Sequence, residues 1–123
     1  MYSVQSEECS PILRAFAAGA PTTEEHVWGP GRTSGLRVPK PLGDFLILDV
    51  LRKSGGGVVS VSDAEIVAGT LEFGRAEGIF ASPEGAAGYI GLKKLIERGQ
   101  VFTGEIVVLF NTGAGVKYIE WYE

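Results

Sequence analysis

The chain has 123 residues, 45 % of them hydrophobic, which suits one globular domain over residues 1–123 with one hydrophobic core. A net charge of −4 and 11 basic residues that form no run argue against a nucleic-acid or anionic-membrane partner. One cysteine, Cys9, and one histidine, His26, leave neither an internal disulfide nor a credible metal site. No stretch approaches the ~20 apolar residues of a membrane span, and MYSVQSEECS lacks the features of a signal peptide. The expected setting is reducing and cytoplasmic. Glycine is in excess, with 18 residues at no fixed period.

Tyr2 to Gln5 suits a short strand that begins almost at the first residue. Ser10-Pro11 is a helix start, with serine at the N-cap and proline at the first helical position. That helix should run to about Ala18 and end at Gly19. Gly19 to Pro41 has no period and holds Pro21, Pro30, Pro39 and Pro41. A long loop of this kind is usually functional or a linker. It carries His26, Trp28 and Ser34. A His26/Ser34 pair would suit a small hydrolase, but no acidic orienter or nucleophile elbow accompanies it. A surface loop histidine is the simpler reading.

Phe45 to Lys53 is a helix, apolar nearly all round and therefore expected to be well buried. Val58 to Val61 is a second strand. Ser62-Asp63-Ala64-Glu65 is a capping box that opens a helix from Asp63 to Glu77. This helix should bury Ile66, Val67, Leu71 and Phe73 and turn Glu65, Glu72, Arg75 and Glu77 to water. Ile79-Phe80-Ala81 is a short extended piece. Ser82-Pro83 repeats the N-cap and proline signal for a helix from Pro83 to Arg98. Its core positions are expected at Tyr89, Leu92, Leu95 and Ile96. Gly85, Gly88 and Gly91 lie inside it, each costing about 1 kcal/mol relative to alanine. Close approach of a neighbouring strand, or of a ligand at the helix start, would justify them.

Ile106 to Phe110 is five apolar residues in a row, the pattern of a strand buried on both faces. It opens into the glycine-rich turn Asn111-Thr112-Gly113-Ala114-Gly115. Parallel sheets bind ligands at the carboxyl ends of their strands, and Thr112 offers a neutral donor and acceptor there. The order is β-α-loop-α-β-α-α-β, an α/β chain with a mostly parallel sheet. Three strands are few, which suits either a piece of something larger or an obligate oligomer.

Five stretches, in order, resemble the C-terminal part of threonine synthase, a pyridoxal-phosphate enzyme of fold type II. They are Ser3-Val4-Gln5 through Ile12, Gly35-Leu36-Arg37-Val38-Pro39 through Asp44, and Val61-Ser62-Asp63-Ala64-Glu65-Ile66. The last two are Glu77-Gly78-Ile79-Phe80 through Ala87, and Val108 through Tyr118. The resemblance implies a three-layer α/β/α fold with a small, mostly parallel sheet. It also implies that Thr112 bonds the pyridine nitrogen of pyridoxal phosphate while Gly113 and Gly115 let the ring approach. Gly35 resembles a segment near the cofactor face, and Glu84 and Gly85 match a helix start close to the site. The family's Schiff-base lysine, in a Ser-Phe-Lys-Asp-type motif, and its Ser-Gly-Asn-type phosphate loop do not occur in this sequence. Lys40, Lys53, Lys93, Lys94 and Lys117 match no such motif. The expectation is a segment of a lyase acting on phosphohomoserine, with no catalytic residue of its own and inactive alone. It would be completed by an N-terminal half or a partner chain, and would associate as a homo-oligomer. The alternative is a non-catalytic stand-alone α/β module that binds a small ligand or a protein partner.

Overall fold

The computed structural model describes every residue except His26, Trp28 and Glu123. It divides into two compact units, Met1–Ser60 and Val61–Glu123.

In the first unit, strand β1 (Tyr2–Ser6) leads to helix α1 (Pro11–Ala17), a 3-10 turn at Ser34–Leu36 and helix α2 (Asp44–Lys53). Strand β2 (Gly57–Val61) then pairs with β1. The pair is parallel: the Met1 ammonium donates to Ser54 Oγ at 2.9 Å, so both strands begin at the same end. Parallel neighbours need a long crossover. Here α1, the loop and α2 supply it, and their shared core is Ile12, Ala15, Leu48 and Leu51, flanked by Phe16, Ala20 and Val58.

Helix α2 corrects an expectation. Leu48 and Leu51 are buried, but Phe45, Leu46, Ile47 and Val50 are 37–58 % exposed. The cause is supply of neighbours. Helix α1 has only seven residues and covers one stripe of α2. Sequence apolarity marks a face that requires cover, not whether cover is present.

The long loop is tied down at one buried carboxylate. Asp44 accepts from the Thr23 amide at 2.7 Å, the Thr23 hydroxyl at 2.6 Å and Lys40 Nζ at 2.8 Å. Lys40 also donates to the Thr23 carbonyl. The Lys40 ammonium first, then the Thr23 hydroxyl and amide, hold the Asp44 carboxyl far below the usual carboxylate range. At the other end of the helix, Arg52 donates to the Ala20 carbonyl at 2.7 Å and lies over the Phe16 ring.

The second unit is built on two helices, α3 (Asp63–Glu77) and α4 (Pro83–Glu97). The capping box is present: Glu65 N donates to Ser62 Oγ at 3.3 Å, and Ser62 N donates to Glu65 Oε2 at 2.8 Å. Gly78 ends α3 at φ +68°, a left-handed value that favours glycine. The buried faces differ from the expected ones. Ile66, Gly69 and Thr70 are buried on α3, whereas Leu71 is 47 % exposed and Val67 and Phe73 are only half-buried. On α4, Ala86, Ala87, Ile90, Gly91 and Leu95 are buried, Tyr89 and Leu92 are half-buried, and Ile96 is 53 % exposed. Small residues let the helix backbones come close, so the interface centres on them. Larger side chains move to its flanks. There Phe73 stacks on Tyr89 with centroids 5.0 Å apart, and Glu72 accepts from Tyr89 Oη and Lys93 Nζ, both at 2.7 Å.

Ile106–Phe110 is the second correction. The segment has no ladder partner among the described residues, and Ile106, Val108 and Phe110 are 75–96 % exposed. A strand buried on both faces needs strands beside it and layers over it. Among the described residues the only sheet is β1–β2. The chain then closes with a 3-10 segment, Gly115–Trp121, kinked at Tyr118, with Trp121 buried. Among the described residues no helix is long and apolar enough to cross a membrane.

The Asp44 clamp predicts a pH signature. A depressed carboxyl pKa contributes stability above the unfolded value, about 4, that is lost as pH falls through the lower folded value. Asp44→Asn should therefore melt below the parent at pH 7, and the gap should narrow as pH falls below about 4. Thermal denaturation by circular dichroism at pH 7, 4 and 2.5 checks this. A gap that stays constant with pH would contradict it.

Candidate active-site segment

Ser82 is the organising residue of the second unit's glycine-rich turn. Its hydroxyl accepts from Gly85 N at 3.3 Å and caps α4. Its amide donates to the Gly113 carbonyl at 2.9 Å. Gly115 N donates to the Phe80 carbonyl at 2.8 Å. Together these form an antiparallel bridge between Ala81 and Ala114. The extended piece expected at Ile79–Ala81 thus exists to hold the glycine-rich turn against the entry to α4.

The glycines follow from this clasp. A side-chain carbon on Gly115 would stand 2.7 Å from the Ala81 carbonyl oxygen and from the Phe80 ring. One on Gly85 would stand 2.2 Å from Asn111 Oδ1. The Asn111 side chain therefore lies over the first turn of α4 at Gly85. A carbon on Gly88 would meet Leu109 at 3.7 Å, an ordinary contact. Close approach of neighbouring backbone accounts for Gly115, while at Gly85 the near atom is the end of the Asn111 side chain.

Thr112 stands at the exposed crest of the turn, with Gly113 half-buried against Ser82 and Gly115 buried. Glu84 is half-buried in the first turn of α4 and accepts from Tyr118 Oη at 3.4 Å. The nearby Glu84 carboxylate, with burial, pushes the Tyr118 phenol up. Beyond the turn, Tyr122 packs its ring on Phe80 and donates to the buried Thr70 hydroxyl at 3.0 Å. Thr112, Gly113, Gly115, Glu84 and Gly85 thus come together in one unit. Gly35 belongs to the first unit, where it lines an open groove of about 330 Å³ with Gln5, Leu36, Val38 and Ile47.

Asn111 over Gly85 and Tyr118 on Glu84 had no signal in the sequence beyond their nearness to the turn. Ser82 was legible as a cap but not as the anchor of Gly113. Cys9 is buried, and burial pushes its thiol up, away from reactivity. Ser34 is exposed in its 3-10 turn, and His26 lies outside the described residues. No cluster of three metal-ligating side chains occurs among the described residues.

A family profile described as "pyridoxal-phosphate dependent enzyme" matches residues 1–113. The chain belongs to the pyridoxal-phosphate dependent enzyme family. Within it, the chain is similar to the threonine synthase of Methanosarcina acetivorans, 34 % identical over 113 residues, which cover 92 % of this chain and 28 % of the relative. It is similar to that of Methanocaldococcus jannaschii, 33 % identical over 95 % of this chain and 29 % of the relative. It is also similar to that of Mycobacterium leprae, 34 % identical over 95 % of this chain and 30 % of the relative. The chain thus spans under a third of the length of the curated relatives it matches. The family and these relatives make pyridoxal phosphate the cofactor of the full-length enzyme.

The clasp separates two glycines of this region. Gly115→Ala should destabilise the protein by about 1–3 kcal/mol, because the turn must open to fit the methyl group. Gly88→Ala meets no obstacle and should stabilise by up to about 1 kcal/mol through helix propensity. Urea denaturation measures both, and equal effects at the two positions would contradict the clasp.

Proposed function

We propose that this chain is the C-terminal segment of a threonine-synthase-like lyase of fold type II, converting phosphohomoserine to threonine and phosphate. In this reading Thr112 holds the pyridine-nitrogen edge of the cofactor. The observation that carries it is the exposed Thr112 hydroxyl on a turn whose backbone is fixed on both sides at Ser82 and Phe80. A neutral hydroxyl fits that edge: it can donate to a ring nitrogen without placing a negative charge beside it. Bound pyridoxal phosphate supplies an electron sink for carbanion chemistry.

The protein's part is positional. Gly113 and Gly115 let the turn close against Ser82, Ala81 and Phe80, which holds Thr112 at its exposed crest in this reading. Glu84 and Gly85 bound the site at the start of α4, with Tyr118 holding the Glu84 carboxylate in place. The proton at the ring nitrogen is governed by Thr112: a hydroxyl leaves the nitrogen less protonated than a carboxylate would. Neither the lysine motif nor the phosphate-loop motif occurs in this sequence, so the segment works only with the remainder of the enzyme and is inactive alone. The assembled enzyme is a cytoplasmic homo-oligomer in this reading.

Thr112→Val tests the role. With the segment assembled into a complete enzyme, this variant should weaken pyridoxal-phosphate affinity about tenfold, the scale of one lost hydrogen bond. Fluorescence titration of the cofactor reads the affinity, and its absorption spectrum against pH reads the ring-nitrogen environment. Unchanged affinity and an unchanged spectrum would overturn the assignment.

A further inference from the structure

Thr70 is fully buried on α3, and a buried hydroxyl is costly unless it is paired. Thr70 Oγ1 donates to the Ile66 carbonyl at 3.1 Å, within its own helix. That bond spends the hydroxyl's proton and leaves its lone pairs to accept. The donor comes from 52 residues away: Tyr122 Oη donates to Thr70 Oγ1 at 3.0 Å. The neighbouring Trp121 is buried, so two aromatic side chains hold down the close of the 3-10 segment. Tyr122 presents its ring to Phe80, with centroids 5.4 Å apart and planes tilted by 57°. Phe80 in turn holds the glycine-rich turn. Its carbonyl accepts from Gly115 N at 2.8 Å, and its ring would stand 2.7 Å from a side-chain carbon on Gly115. A buried hydroxyl, a phenol, a ring and the turn therefore form one contiguous path inside the second unit.

We propose that Thr70 and Tyr122 are positioning residues for the glycine-rich turn, acting through Phe80 to fix where Gly115, and with it the Thr112 hydroxyl, stands. Packing alone asks only for apolar bulk at position 70 and a ring at position 122. The hydroxyl pair adds direction, because a hydrogen bond restricts both distance and angle. The phenol meets Thr70 Oγ1 with the Tyr122 ring in one place, and that place sets the Phe80 ring. Tyr122 lies beyond residues 1–113, the stretch that the family profile matches, so this brace is read from the chain's own contacts. Its consequence for the cofactor rests on the reading of Thr112 given above.

Amide hydrogen exchange on the full 123-residue chain reads the brace without any cofactor. Thr70→Val and Tyr122→Phe each remove one hydroxyl and keep the bulk of the side chain. Each should speed exchange at Gly115 about tenfold relative to Ile90 on α4, the scale of one hydrogen bond. The double variant should do no more than either single one, because both break the same bond. Thr70→Ser keeps the hydroxyl and should restore the parent ratio. With the segment assembled into a complete enzyme, Tyr122→Phe should weaken pyridoxal-phosphate affinity about threefold, a fraction of the loss expected for Thr112→Val. It should also move the cofactor's absorption spectrum against pH in the same direction as Thr112→Val. An unchanged Gly115 ratio, or equal acceleration at Gly115 and Ile90, would overturn the proposal, because the pair would then support only global stability. Additive effects in the double variant would overturn it too. If Thr112→Val alters the cofactor and Tyr122→Phe does not, the link from the brace to Thr112 is overturned. If neither alters the cofactor while Gly115 responds, the brace on the turn stands and the cofactor role of Thr112 fails.

Discussion

Two backbone hydrogen bonds, from Ser82 to Gly113 and from Gly115 to Phe80, fix the second unit's glycine-rich turn. Ser82 is 1 % exposed, so its amide has no water to fall back on. A buried donor left unpaired costs about 1–3 kcal/mol, and this is what keeps the turn shut. The same residue caps α4 through its hydroxyl. One serine therefore fixes both where the helix begins and where the turn lies. Pro83 removes a donor that no partner would have satisfied at the first helical position.

From that anchor the composition becomes intelligible. The turn can close on Phe80 and Ala81 only where a side chain is missing, which places glycine at 115. The helices α3 and α4 approach where Gly69 leaves room for Ile90 beside Ala86, and Phe73 and Tyr89 stack at the flank. In the first unit a charge cluster plays the corresponding role. Asp44, Thr23 and Lys40 hold a long, proline-rich loop to the start of α2, where apolar contact is scarce.

Local signals were fully legible in the sequence. The capping box at Ser62–Glu65, the Ser82-Pro83 helix start and the glycine stop at Gly78 appear as read, because each is satisfied within a few residues, while the helix at Pro11 begins where expected without a cap bond from the Ser10 side chain. The glycine-rich turn at Asn111–Gly115 was legible as a pattern of small and polar residues. What could not be read was burial. Apolar residues on α2 and in Ile106–Phe110 report a requirement for cover, and cover comes from neighbours that the pattern does not contain. Helix faces were misassigned for a related reason: Leu71 and Ile96 fit the period, but small residues decide how close two helices come. The Asp44 clamp joins residues 21 positions apart and left no local trace.

Residue-resolved amide hydrogen exchange on the 123-residue chain tests the central claim most directly, that a locked turn follows an unpartnered strand. The account predicts slow exchange at Ser82 and Gly115 and rapid exchange across Ile106–Phe110. Rapid exchange at Ser82 and Gly115, or protection throughout Ile106–Phe110 in the isolated chain, would contradict it.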